Sequence, residues 1–537
     1  MEWAGKPGAD KDRRQTHPTA CSAAQSFVVL WGFLKFHHRA FTTGQANADL
    51  AFYTHFPTTP DQTTCSAWLG TMESWLDELD QQVVRHQTDA KQRLSQKWHP
   101  GLDGLDQFRQ ISPAFFDRLM HMFANRSGQQ HYVNRSEWGG NADFAADGPA
   151  MDNPLWPALA LARYWTAIRY FYPYQSLLLH WDNALATALS QALSSAPPEE
   201  RYRSALLILI RATHDGHAGL FTDKGTAALS SGSRSLPLAT RYVDGKLTVI
   251  GSASPQAQPG DIVVAVDGQS VDDLRAAFQP VSGTGRRETE DLLFARAFTR
   301  GDSGGAGLTL RRQNDLVTCQ LPFEEKMNRW AFPVRRGAAV QRLGSVAYLQ
   351  FVFGAAKEVT EFCETGWQNC RGIIVDLRGY PRFGFEALTR RFADPGQPFA
   401  RGLFPELHTP GRFRRTAPLQ IKPKHAAITK PTIVLIDEHS VSHAEYFAMA
   451  LRVSSRVTLL GTPTAGANGN RSFVPMPNGE LACFSGYGIF HVDGGQTQGV
   501  GIAPDVICKP RHEDIAAGRD SLILKALDIL GEPSDDL

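Results

Sequence analysis

The stretch Thr432-Ile433-Val434-Leu435-Ile436-Asp437-Glu438-His439-Ser440-Val441-Ser442-His443-Ala444-Glu445 decides the fold, because an apolar run stops at a polar turn and restarts with a different period. Ile433 to Ile436 has the composition of a strand buried on both faces. Beyond the turn, Ala444, Phe447, Ala448 and Leu451 recur at i, i+3, i+4 and i+7, which is one face of a helix. Ser442 therefore stands between a strand end and a helix start, beside N–H groups that a first helical turn leaves unpaired. A hydroxyl held there suits a nucleophile that needs an oxyanion site. Ser442-x-x-Glu445 is also a capping box, in which the hydroxyl accepts from the first turn and the glutamate reaches back. Both readings stand at this point.

At 537 residues the chain is too long for one core, and roughly 150 residues per domain implies about three or four domains. With 42% hydrophobic and 20% charged residues the composition is that of a globular protein, and a net charge of +1 gives no electrostatic case for nucleic acid or an acidic membrane surface. The seven cysteines (Cys21, Cys65, Cys319, Cys363, Cys370, Cys483, Cys508) include no CxxC, so neither zinc nor a disulfide framework is signalled. An odd count leaves at least one thiol unpaired or paired between chains. The opening residues are charged and polar, and no long apolar run follows, so the chain reads as soluble with no integral membrane segment and no visible export signal.

Residues 1–21 are expected as a disordered tail and 22–98 as an aromatic-rich helical domain, with Trp68, Leu69, Met72, Trp75, Leu76 and Leu79 at helical spacing. Trp31 to His38 has a weak partner in Trp165 to Tyr172, which points to a duplicated helical unit. The Gly-, Asp- and Asn-rich stretch 99–153 reads as a linker or irregular insert. A second helical region, 154–232, ends in His214-Asp215-Gly216-His217, where a helix stopping at Asp-Gly would present His217 as a base. The two histidines could instead be metal ligands, but no third ligand has motif spacing. Residues 233–327 change to short alternating strands, and 335–537 alternate strands and helices as an α/β core. Within that core the proline- and base-rich stretch 394–428 reads as an insert with solvated charge.

Pro259-Gly260-Asp261-Ile262-Val263-Val264-Ala265-Val266-Asp267-Gly268 resembles a PDZ domain, which implies capture of a polypeptide C-terminal end by strand addition. In order along the chain stand His217, this module, Ile373-Ile374-Val375-Asp376-Leu377-Arg378-Gly379, Ser442-His443-Ala444-Glu445 and Gly461-Thr462-Pro463-Thr464-Ala465-Gly466-Ala467. That order resembles the C-terminal processing, or tail-specific, serine peptidases, the family that includes the tricorn core and a retinoid-binding protein, over roughly residues 154–510. The resemblance implies a multidomain α/β fold with N-terminal helical regions, the PDZ-like module and a ClpP/crotonase-like peptidase core. It places the nucleophile at Ser442 and one oxyanion donor at the N–H of His443. The second donor comes from a glycine pair that is Arg382-Phe383 here, so the Arg382 N–H is expected in that role.

The branch with a catalytic lysine would place it where this chain has Ala467, and the next lysine is Lys509. The tricorn-like branch takes a histidine ahead of the PDZ-like module, which is His217. Its third member falls on Gln498, with Asp493 and Glu445 in reserve. The implied function is a metal-independent serine peptidase, without cofactor, that cleaves polypeptides near their C-termini, with the compartment left open, the resemblance leaning to an exported or periplasmic location, and oligomerisation left open. The alternative is a catalytically weak or inactive peptidase fold that binds peptides or small hydrophobic ligands.

Overall fold

The structure is a computed structural model and describes residues 22–58, 65–83, 100–136, 141–148, 151–221, 232–278, 283–302, 304–325, 337–392, 394, 396–424 and 427–533. The tail expected over 1–21 lies outside the described residues. The first region is built from α1 (Ala23–His37), α2 (Cys65–Gln82), α3 (Pro113–Ala124), α4 (Trp156–Phe171) and α5 (Pro198–Ala212). Helix α1 is apolar on all sides and buries 14 of its 15 residues, as a central helix must. Helix α4 is likewise buried along its whole length. They meet at Gly32, where a methyl group would come within 2.5 Å of the Thr166 hydroxyl oxygen, so only glycine allows the approach.

One apolar core runs through this region, from Trp31 and Trp165 to Leu206 and on to Val474 and Phe484 far downstream. The stretch 99–153, expected as a linker, contributes to it. It holds α3, a short helix at Asp106–Ile111 and a hairpin of Val133–Arg135 with Ala142–Phe144. Its Gly, Asp and Asn residues punctuate short elements, while Leu105, Phe108, Phe115 and Leu119 are buried anchors. Strand β1 (Gly219–Phe221) follows, with its Leu220 still in this core.

The second region is an antiparallel sheet of β2 (Leu238–Val243), β3 (Lys246–Ser252), β4 (Ile262–Val266), β5 (Gly305–Arg312) and β6 (Asp315–Pro322), in the order β6-β5-β4-β3-β2. With α6 (Arg287–Ala297) it encloses its own core of Leu238, Val249, Val263, Phe294 and Leu308. Asp267 and Gly268, at φ 49° and 81°, form the two-residue turn from β4 into Gln269–Ser270.

The third region is a sheet of β7 (Val340–Leu343), β8 (Val346–Gln350), β9 (Ile373–Asp376), β10 (Thr432–Ile436), β11 (Val457–Gly461) and, after the hairpin of β12 (Arg471–Pro475) and β13 (Leu481–Ser485), β14 (Val506–Ile507). Its order is β7-β8-β9-β10-β11-β14, parallel except at β7. Helices α7 (Phe385–Phe392) and α8 (His443–Arg452) cover one face and α9 (Ser521–Leu530) the other. Val434 and Ile436 pack with Phe447 and Ala448 on the first face, and Ile433 and Leu435 with Leu522 and Leu527 on the second. Within 394–428, Pro398–Pro405 pairs with Phe413–Arg415 and Gly488–Phe490, while Arg414 and Arg415 stay exposed. Chain order is broken by the small sheet β12-β13-β1, in which Cys483 pairs with Gly219. That pairing carries the His214–His217 turn to the α/β core. Among the described residues, no helix is long and apolar enough to cross a membrane.

Candidate active site

The strand β10 ends at Ile436, and the chain reaches α8 through Asp437 to Ser442. Ser440 locks this turn, its hydroxyl donating to the Leu377 carbonyl at 2.8 Å and its carbonyl accepting from Ala465 N–H at 3.0 Å. Ser442 is the N-cap of α8 and sits at φ 57°, a conformation that a residue with a Cβ holds only when its surroundings impose it. Glu445 supplies that constraint. Its fully buried carboxylate accepts from Ser442 N–H (3.0 Å), Ala467 N–H (2.9 Å), Gly466 N–H (2.9 Å) and the Thr464 hydroxyl (2.6 Å). Burial pushes the Glu445 carboxyl up, and these four donors oppose it.

Only half of the expected capping box is therefore formed. The glutamate reaches back, but the Ser442 hydroxyl turns away from the helix and donates to the Gly469 carbonyl at 3.3 Å. Among the described residues the N–H of His443, the first residue of α8 and the neighbour of Ser442, has no hydrogen-bond acceptor, as the first turn of a helix leaves it. The Arg382 N–H, expected as its companion, donates to the Phe351 carbonyl at 3.0 Å and is closed to that role.

His217 follows α5 in a tight turn and is half-buried. Its Nδ1 lies 3.0 Å from the Ser485 hydroxyl oxygen, and that hydroxyl lies 2.8 Å from Asp215 Oδ1. The buried Asp215 carboxylate only accepts, so Ser485 donates to it and accepts from His217 Nδ1–H. This chain of bonds fixes the tautomer and leaves Nε2 with its lone pair. Burial, and then the Arg471 guanidinium, hold the imidazole far below its ordinary range, at about 3. Asp215 also accepts from the His217 and Ser485 N–H groups at 2.9 and 2.6 Å, while its burial pushes the carboxyl up.

Gln498, expected against the imidazole, lies one residue further back: its Nε2 donates to Asp215 Oδ1 at 2.6 Å. Asp493 is exposed and caps a turn through Gly495 N–H, so it does not serve the base. Asp215 and Ser485 are the residues that sequence reasoning missed. Asp215 was signalled only as an acid two positions before the histidine. The Ser442 and His217 loops meet on the segment 464–469. Ala467 gives its N–H to Glu445, and its Cβ lies where a Cβ at Gly216 would come within 2.8 Å.

His214 is exposed at φ 51°. Among the described residues, the grouping able to hold a metal is Asp437, Glu438 and His439, and Arg241 of β2 already occupies it, 3.1 Å from Asp437 and 2.7 Å from Glu438. Burial would push the Asp437 carboxyl up, yet the Arg241 guanidinium holds it well below the usual carboxylate range.

A serine on a constrained strand-to-helix turn and a tautomer-fixed histidine are the groups that acyl transfer uses, and the turns that carry them both contact the segment 464–469. Residues 400–508 match the model of peptidase family S41. The carboxy-terminal processing protease CtpA of Bacillus subtilis (strain 168) is 25% identical over 234 residues, 42% of this chain and 45% of that protein. The chloroplastic carboxyl-terminal-processing peptidase 3 of Arabidopsis thaliana is 30% identical over 146 residues, 26% of each. The aligned stretches thus span less than half of these relatives. The structure of mature CPAF complexed with lactacystin shares the fold, with a TM-score of 0.56 and 16% identity over 71% of this chain and 98% of that one.

Proposed function

We propose that the chain is a serine peptidase that cleaves polypeptides near their C-termini through an acyl-enzyme on Ser442. The observation that carries this reading is the Ser442 turn itself: a strained φ, a hydroxyl not used as a cap, and the open His443 N–H beside it. In the proposed reaction, the Ser442 oxygen attacks the scissile carbonyl while its proton passes to His217 Nε2. The His443 N–H takes the developing oxyanion, with Gly379–Tyr380, on the loop after β9, as the second donor in place of Arg382. His217 then gives the proton to the departing amine. Water, deprotonated by the same imidazole, releases the acyl group. As His217 becomes charged, Nδ1–H remains bonded to Ser485, which passes the field of Asp215 to the ring. The β2–β6 module is proposed to hold the substrate end, on its PDZ resemblance. Export rests on the family resemblance, and fractionation of the expressing cell tests it.

A fluorophosphonate probe tests the nucleophile. Wild type is expected to be labelled, Ser442→Ala not, and His217→Ala at least about 100-fold more slowly, in keeping with the usual contribution of a general base. Equal labelling of Ser442→Ala removes Ser442 from the mechanism. A folded wild type that is never labelled supports the alternative, a peptidase fold retained for binding peptides or small hydrophobic ligands.

A further inference from the structure

We propose that two aromatic walls beside Ser442 form the subsite for the side chain of the substrate residue whose carbonyl is attacked, and that this side chain is aromatic or large and aliphatic. The proposal rests on Ser442 as the nucleophile. The first wall begins with the next residue: the His443 ring lies 5.2 Å from Phe385 and 6.4 Å from Tyr380. Tyr380 follows the buried end of β9 and is itself 48% exposed, one of the large side chains left open to solvent. The second wall is reached through Gly469, whose carbonyl accepts from the Ser442 hydroxyl. Gly469 is pressed so closely on Tyr487 that a Cβ there would come within 2.3 Å of the Tyr487 carbonyl. The Tyr487 ring stacks on Phe404 at 4.9 Å and 23°.

Neither wall favours a charged guest. Burial lowers the affinity of His443 for a proton, so it offers no cation to an acidic side chain. Glu445, the nearest acid along the chain, is committed to four donors and offers no anion to a basic one. An aromatic or large aliphatic guest covers ring faces that water otherwise wets, whereas a small one leaves them exposed.

The test is cleavage by the full chain of paired peptides identical except at the attacked residue, which is Phe, Leu, Ala, Asp or Lys, with cut sites read by mass spectrometry. Phe and Leu are expected to exceed Ala by roughly 10- to 200-fold in kcat/KM, the range of an apolar pocket, with Asp and Lys lower still. Tyr487→Ala should reduce the advantage of Phe to a few-fold. Tyr380→Ala, at a half-exposed position that folding tolerates, should do so as well. Cutting that ignores the residue, or a Phe preference that survives in both variants, overturns the subsite. Fluorophosphonate labelling reports separately on the nucleophile: labelling without side-chain preference in the peptides overturns the subsite alone, and absence of labelling overturns both readings.

Discussion

Glu445→Gln is the sharpest perturbation of this site, because it keeps size and shape and removes one property. The carboxylate holds four donors on two oxygens, with Ser442 N–H and Ala467 N–H on one and Thr464 Oγ1 and Gly466 N–H on the other. An amide must place its NH2 against one of these pairs. Facing Ser442 and Ala467, it confronts two backbone N–H groups. Facing Thr464 and Gly466, it confronts one, since the threonine hydroxyl can turn to accept. In the better orientation, one buried N–H loses its acceptor at about 1–3 kcal/mol, and two further bonds lose their charge at about 1 kcal/mol each. Relief of carboxylate burial offsets part of this, leaving a loss of about 2–4 kcal/mol. For a region of this size, about 2–4 °C per kcal/mol converts that to a fall in Tm of roughly 4–16 °C. Released from its constraint, Ser442 should also leave φ 57°, so labelling by a fluorophosphonate at a temperature where the variant is fully folded should drop by roughly tenfold or more. A variant that melts within about 1 °C of wild type and labels at the same rate would refute the claim that Glu445 holds the nucleophile turn.

Other outcomes follow from the same geometry. With the His217 imidazole held at about 3, labelling of Ser442 should stay flat from pH 8 to pH 5, and an inflection near 6.5, the ordinary histidine value, would contradict the site. The same group binds its proton in the unfolded chain near 6.5 but not in the folded one, so it makes stability fall as pH drops below 6.5 toward 3; His217→Gln should flatten that part of the Tm-against-pH curve. Asp215→Asn and Ser485→Ala should each lower kcat by roughly 10- to 1000-fold with little change in KM, with Ser485→Thr restoring part of it; a KM effect alone would make the pair structural. Arg241→Met leaves Asp437 and Glu438 buried without their cation, so a loss of about 3–5 kcal/mol is expected in a chemical melt, and a neutral result would show that β2 does not hold the turn before Ser442.

The α/β core and the Ser442 turn were legible because a buried strand and an amphipathic helix differ in period, and a polar turn between them has one place to be. The turn that carries His217 was legible from Asp-Gly at a helix end. Residues 99–153 were misread because glycine and asparagine report local punctuation, while the burial of Phe108 and Leu119 depends on a core completed by Val474 and Phe484. Arg382 failed for a local reason that side-chain identity does not carry, since its N–H closes a turn onto Phe351. Gln498 was placed in the right cluster and one partner too close. Its replacement, Ser485, stands 268 residues from His217 on a strand whose partner no periodicity reveals.

The small sheet that joins β1 to β13 has a bearing on how the chain comes off the ribosome. Strand β1 has β13 as its partner, and Cys483 meets His217 across a separation of 266 residues. During vectorial synthesis the histidine emerges early, yet the strand, the serine and the acid that orient it come together only once the chain beyond residue 485 is free. A nascent chain that has not passed residue 485 therefore carries no assembled base, and the proposed cutting activity waits for that residue rather than arriving with the first folded region.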